Sequence, residues 1–187
     1  ILLVLAAIIA AAGVVGASTA TVIGAMIVAP LMLPIQATML SVVLADRVNL
    51  MRSLALVVAG ASTAILIGWL MGFVVVGDVV AATNSQVAAR VSPRLIDLLA
   101  ALATGVVGSV ALARRDISDT LPGVAIAISL VPPLSVVGLT LNAGEYSQAG
   151  GAMLLFLTNV AAILLTGTVV MAIYGVHRLT APDVPSA

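Results

Sequence analysis

Long apolar runs separated by short polar stretches set the pattern of this chain, and six such runs can be delimited. They cover residues 1–17, 18–45 and 50–77, then 93–113, 119–142 and 147–175. Most are about 20 residues or longer without interruption, the length of a helix that crosses a bilayer. A β-barrel strand would alternate apolar and polar residues over roughly ten positions, and no such alternation is present. The polar breaks are "DRVN" at 46–49, "DVVAATNSQVAARVS" at 78–92, "ARRD" at 113–116 and a tail from His177 with two prolines. The first connection, near "GVVGASTAT", is uncharged and carries only glycines and small hydroxyl residues.

Composition turns this pattern into a class. Hydrophobic residues make up 63% of the chain and charged residues only 7%. A soluble domain carries about a quarter charged residues, so a soluble fold of this length could not cover its surface. The expected fold is all-α: a polytopic membrane helix bundle of six spans. The lipid bilayer is its first partner. Cysteine is absent and the formal net charge is zero. That excludes a disulfide framework, a thiolate metal site and a basic surface for nucleic acid. The chain opens at Ile1 inside an apolar run, without the charged start of a secretory signal. It is therefore read as part of a longer or processed protein.

Loop charges predict the orientation. With six spans, Arg47, Arg52, Arg114, Arg115 and Arg178 share one side, and Arg90 and Arg94 face the other. The positive-inside rule then places both termini in the cytoplasm of a prokaryotic plasma membrane.

An internal repeat organises the spans. "IVAPL" at 27–31 has a counterpart in "LVPPL" at 130–134, "GVVG" at 13–16 in 105–108, and "AIL" at 64–66 in 162–164. The shared order predicts two three-span halves, residues 1–77 and 93–176, joined by an external polar loop at 78–92 and followed by a tail at 177–187. An odd number of spans per half makes the repeat inverted. The second and fifth spans are each expected to break at their prolines. Pro30 and Pro34 free the carbonyls of Met26 and Pro30, and Pro132 and Pro133 free those of Ile128 and Ser129, because proline has no N–H. Bare carbonyls in hydrocarbon need a partner, and paired broken helices point to a transporter's binding site.

The candidate solute- or ion-binding residues are therefore Met26, Pro30, Pro34, Gln36, Ile128, Ser129, Pro132, Pro133, Ser135 and Asn159. The bland alternative is that the prolines are packing kinks and that Asn159 makes an interhelical hydrogen bond. Asp97 lies one turn into the fourth span beside Arg90 and Arg94, which reads as an interfacial ion pair. Nucleophile–base, zinc-protease and phosphate-loop motifs are absent, so no catalytic residue, metal or cofactor is expected and the chain is not read as an enzyme.

The motifs "IGAMIVAPLMLPI", "SPRLIDLLAALATGVVG", "LPGVAIAISLVPPLSVVG" and "LLFLTNVAAIL", in this order, resemble the bacterial and archaeal membrane family catalogued as domain of unknown function 389. The resemblance runs from about residue 10 to residue 175. Leu33 stands between the two prolines of the first motif, where that family usually has glycine. The resemblance implies a membrane fold and a soluble domain elsewhere in many members, and it implies no substrate. Two functions are thus open: a secondary transporter or channel-like protein, or a non-transporting membrane scaffold or sensor. Either is expected to assemble as a homo-oligomer through a glycine-bearing face.

Overall fold

The computed structural model describes residues 1–29, 31–75, 77, 79–113 and 120–174, with backbone alone at 112, 113, 120–125, 127 and 128. Eight helices run through it: α1 (Leu2–Val15), α2 (Thr19–Val28), α3 (Met32–Val43), α4 (Arg47–Gly72), α5 (Ser85–Ala88), α6 (Leu95–Ala113), α7 (Thr120–Asn142) and α8 (Tyr146–Ile173). No strand occurs among the described residues. Each of the six apolar runs forms helix, and the polar stretch at 78–92 holds only the single turn of α5.

Two of these helices, α4 and α8, are each long and apolar enough to cross a membrane. A third candidate is the pair α2 and α3, whose axes diverge by 55° at the first proline motif. The apolar stretches of α1, of α6 and of the second part of α7 are shorter. The expectation of six full-length spans is therefore met in length by two helices and the bent pair.

Local chemistry sets the helix ends. Asp46 opens α4: its Oδ1 accepts from the N–H groups of Val48 and Asn49, both at 3.1 Å, and its Oδ2 accepts from Asn49 Nδ2 at 2.6 Å. These bonds, led by the Asn49 N–H, hold its carboxyl below the usual range. Asn84 opens α5 and also donates from Nδ2 to the carbonyl of Val14 at 2.7 Å, which ties the polar loop to the end of α1. Three hairpins close with one device. The second residue after the helix adopts positive φ at Ala17, Ala45 and Gly144. The next N–H then reaches back over the last turn: Ser18 to Gly13, Asp46 to Ser41 and Glu145 to Thr140, all at 2.9 Å. This is the bond that defines a Schellman cap. The uncharged first connection is thus a real turn, with alanine in a conformation that glycine usually takes.

The loop at 73–94 gathers the ends of several helices. Asn84 holds the end of α1, Gln86 Nε2 donates to Thr19 at the start of α2, and the Ala81 N–H donates to Gln148 at the start of α8. Asn142, the last residue of α7, packs against Gly72 at the end of α4. The turn from α3 to α4 lies at the other end of the bundle.

The core is built for close approach. A Cβ on Gly138 of α7 would fall on the Ile65 carbonyl and within 2.6 Å of the Trp69 nitrogen of α4. One on Gly68 would lie 2.7 Å from the Ser135 carbonyl. At the α6–α8 crossing, a Cβ on Gly105 would meet Thr166 Oγ1 and lie 2.6 Å from the Ile163 carbonyl. Small residues let helices touch backbone to backbone where lipid offers no hydrophobic drive. Large apolar side chains point outward instead, such as Leu56, Val58 and Leu70 on α4 and Leu157, Leu165 and Ile173 on α8.

The two proline motifs behave differently. The first bends the chain as expected. The second corrects the expectation of a broken fifth span, because Pro132 and Pro133 lie inside a helix that continues to Asn142. The Ser129 carbonyl, which Pro133 leaves without an amide, is bonded from a neighbour instead.

Candidate functional site

That neighbour is α8. Pro133 has no N–H to give the carbonyl of Ser129, and Asn159 Nδ2 donates to this carbonyl at 2.9 Å. Asn159 sits at the midpoint of α8, 4% exposed, where an amide needs partners. The Ser129 carbonyl fixes which way the amide faces, since the reverse orientation would set two acceptors against each other. The remaining atom, Asn159 Oδ1, is a buried acceptor with no partner among the described residues.

Asn159, Ser129, Pro133 and Leu155 line a crevice of about 150 Å³ that also reaches Arg90 and Asp97. It lies between α6, α7, α8 and the end of the polar loop. Arg90 donates from one nitrogen to the carbonyl of Gln86 at 2.7 Å and to its Oε1 at 2.8 Å. Burial strips water from this guanidinium and lowers its pKa, and the Asp97 charge acts the other way. Asp97 bonds Arg94 Nε at 3.1 Å, the interfacial ion pair expected from the sequence. That bond raises the pKa of Arg94.

Of the ten candidate residues, the crevice brings together Ser129, Pro133 and Asn159. Pro132 is buried beside them in α7. The side chain of Ile128 and the whole of Pro30 lie outside the described residues. Ser135 is fully buried, and its carbonyl faces Gly68, so it serves the α4–α7 crossing. Met26 is buried in α2.

Pro34 is half-buried, and the Thr38 hydroxyl donates to its carbonyl at 2.7 Å and to Ser53 Oγ at 2.9 Å. Gln36 Nε2 donates to the Gly108 carbonyl at 3.1 Å, which binds α3 to α6. None of the described first-motif residues lines the crevice. Leu33, which stands where glycine was the family expectation, points outward and is 71% exposed.

Arg90 was missed as a site residue by the sequence reading, and Asp97 was read only as an ion pair. The polar loop folds back over α6 and α8 and so carries Arg90 inward. Its spacing of seven residues from Asp97 was the available signal, and it is too common to single out a site.

No solved structure matches this chain. An uncharacterised protein of the archaeon Methanocaldococcus jannaschii is 34% identical over 176 residues, which is 94% of this chain and 54% of that protein. The chain thus spans about half the length of the curated relative it matches. Residues 26–165 match the family described as Domain of unknown function (DUF389), and the prolines of both motifs and Asn159 fall within that match. This chain, an all-helical protein with membrane-length apolar helices, belongs to that family.

Proposed function

We propose that this chain is a membrane transport protein, a secondary transporter or channel-like protein of a prokaryotic plasma membrane. Its solute or ion site is the crevice between α6, α7 and α8. The observation that carries this reading is Asn159. It stands at the middle of a membrane-length helix, spends its nitrogen on a proline-freed carbonyl and leaves Oδ1 without a partner among the described residues, on a residue that lines a crevice. Intramembrane polar groups are costly, and discontinuous hydrogen bonding at mid-depth is how transporters present oxygens to their cargo.

On this reading the six helical passes form two inverted halves. The pairing of helices supports it. Helix α1 packs on α4 as α6 packs on α8; α1 packs on α2 as α6 packs on α7; α3 packs on α4 as α7 packs on α8. Each long helix also crosses to the other half, α4 onto α7 and α8 onto α3. A half-turn about an axis in the membrane plane would generate these pairings.

The arginine distribution favours an external loop at 78–92. Ser85 is exposed on that loop and the chain has no cysteine. A Ser85→Cys variant in intact cells should react with an impermeant maleimide added outside. Reaction only from the cytoplasmic side would reverse the topology.

Transport itself is tested by flux into liposomes, with a panel of small solutes and salts. Asn159→Leu should lower flux per folded molecule by about tenfold or more, the size expected for losing a buried polar contact to the cargo. Gln36→Leu removes only an α3–α6 bond and should leave flux per folded molecule unchanged. The scaffold reading has its own support, since Gln36 is engaged by the Gly108 carbonyl of α6 and the Pro34 carbonyl by the Thr38 hydroxyl. It predicts normal flux per molecule in both variants, or no flux of any solute in the wild type.

A further inference from the structure

Arg90 sets the charge of the crevice. Its guanidinium carries five N–H donors. Both hydrogens of Nη1 are taken, one by the Gln86 carbonyl at 2.7 Å and one by Gln86 Oε1 at 2.8 Å. The other edge, Nε and Nη2, has no acceptor among the described residues. Neither of these nitrogens is sealed in the interior, since the one buried side-chain atom without a partner among those residues is Asn159 Oδ1. The edge thus keeps open surface, on a half-buried residue that lines the crevice. No carboxylate among the described residues neutralises it, because their one ion pair joins Arg94 to Asp97. Asp97 is engaged there through both oxygens. Its Oδ2 accepts from the Arg94 N–H and from Nε, and its Oδ1 accepts from Nη2, all at 3.1 Å. Two arginines and one carboxylate leave one positive charge in excess, and it resides on Arg90.

A charge withdrawn from water needs a partner of opposite sign. The Nε–Nη2 edge is a planar fork that matches the two oxygens of a carboxylate. Arg94 uses this same edge on Asp97. The rest of the lining suits the uncharged part of a small ligand: Ala89, Ala100, Pro133 and Leu155 are apolar, and Ser129 carries a hydroxyl. The volume of about 150 Å³, against about 30 Å³ for a water in the liquid, admits a body of a few heavy atoms. From this geometry we infer that the crevice binds one small monovalent anion, a carboxylate or a like oxoanion, on the Nε–Nη2 edge of Arg90. The inference rests on the transport reading and names the charge class of the cargo. Ser129 and Asn159 shape the floor, and Arg90 sets the sign.

The test is equilibrium binding of radioactive acetate to the purified full chain in detergent. The expected result is saturable binding near one acetate per chain, with competition by formate and nitrate. Acetamide, which has the shape of acetate without its charge, should not compete. Arg90→Gln should weaken binding about tenfold or more, the size of a lost bond to a charged group. Asp97→Asn removes the negative charge of the lining and should tighten binding about threefold or more. Should Arg90→Gln fail to fold, Asp97→Asn decides, and unchanged or weaker binding there would overturn the inference. Absence of saturable binding, or equal binding in folded Arg90→Gln, would overturn it as well. Flux of a neutral or cationic solute without acetate binding would keep the transport reading and remove this one. Acetate binding without flux of any solute would do the opposite.

Discussion

Gly138→Ala should leave little folded protein. The added methyl would fall on the Ile65 carbonyl and lie 2.6 Å from the Trp69 nitrogen. Both obstacles are backbone, so no side chain can rotate away. Helices α4 and α7 would have to separate, and the contact at Gly68 would open with them. Overpacking a close-fitting core costs about 1–3 kcal/mol and sometimes more, a large share of a domain's net stability of about 5–15 kcal/mol. The thermal midpoint in detergent should fall, and the yield of monodisperse protein with it. Gly150→Ala is the control. It lies in α8 with nothing within 4 Å of the added carbon, and Ala favours helix over Gly by roughly 0.5–1 kcal/mol. Equal behaviour of the two variants would mean that α4 and α7 do not touch at this glycine.

Pro133→Ala and Asn159→Leu should be strongly coupled. In the wild type, removing the Asn159 amide strands the Ser129 carbonyl in an apolar interior. An unsatisfied buried group costs about 1–3 kcal/mol. With alanine at 133, the helix regains an N–H that can serve this carbonyl, and the amide becomes dispensable. The double variant should therefore be more stable than the sum of the single changes by about 1–3 kcal/mol, a coupling within the range seen for residues of one network. Additive effects in denaturation of the four proteins would show that Asn159 does not replace the missing N–H. The same cycle read by flux separates folding from cargo binding, since restored stability does not restore Oδ1 to the cargo.

The helical runs were legible because apolar length and charged breaks are local properties. The bend at the first proline motif was legible for the same reason. Continuity through Pro132 and Pro133 was not, because the partner that completes α7 comes from Asn159, on another helix. Sequence reasoning identified the freed Ser129 carbonyl and named Asn159 separately, and packing joined them. The crevice itself was only half visible. Its floor lies on α7 and α8, where rare polar residues stand out against an apolar background. Its mouth comes from Arg90 and Asp97, whose charges look like ordinary interfacial ones until the loop folds back. Gln36, the other amide singled out at depth, has the Gly108 carbonyl as a partner for its nitrogen.

The bond between Asn159 and Ser129 also keeps two helices in step. Sliding α8 along α7 by one turn shifts it by about 5.4 Å. That would break the 2.9 Å contact and bare both polar groups at once. The two helices are thus latched in a single register and travel together as one piece.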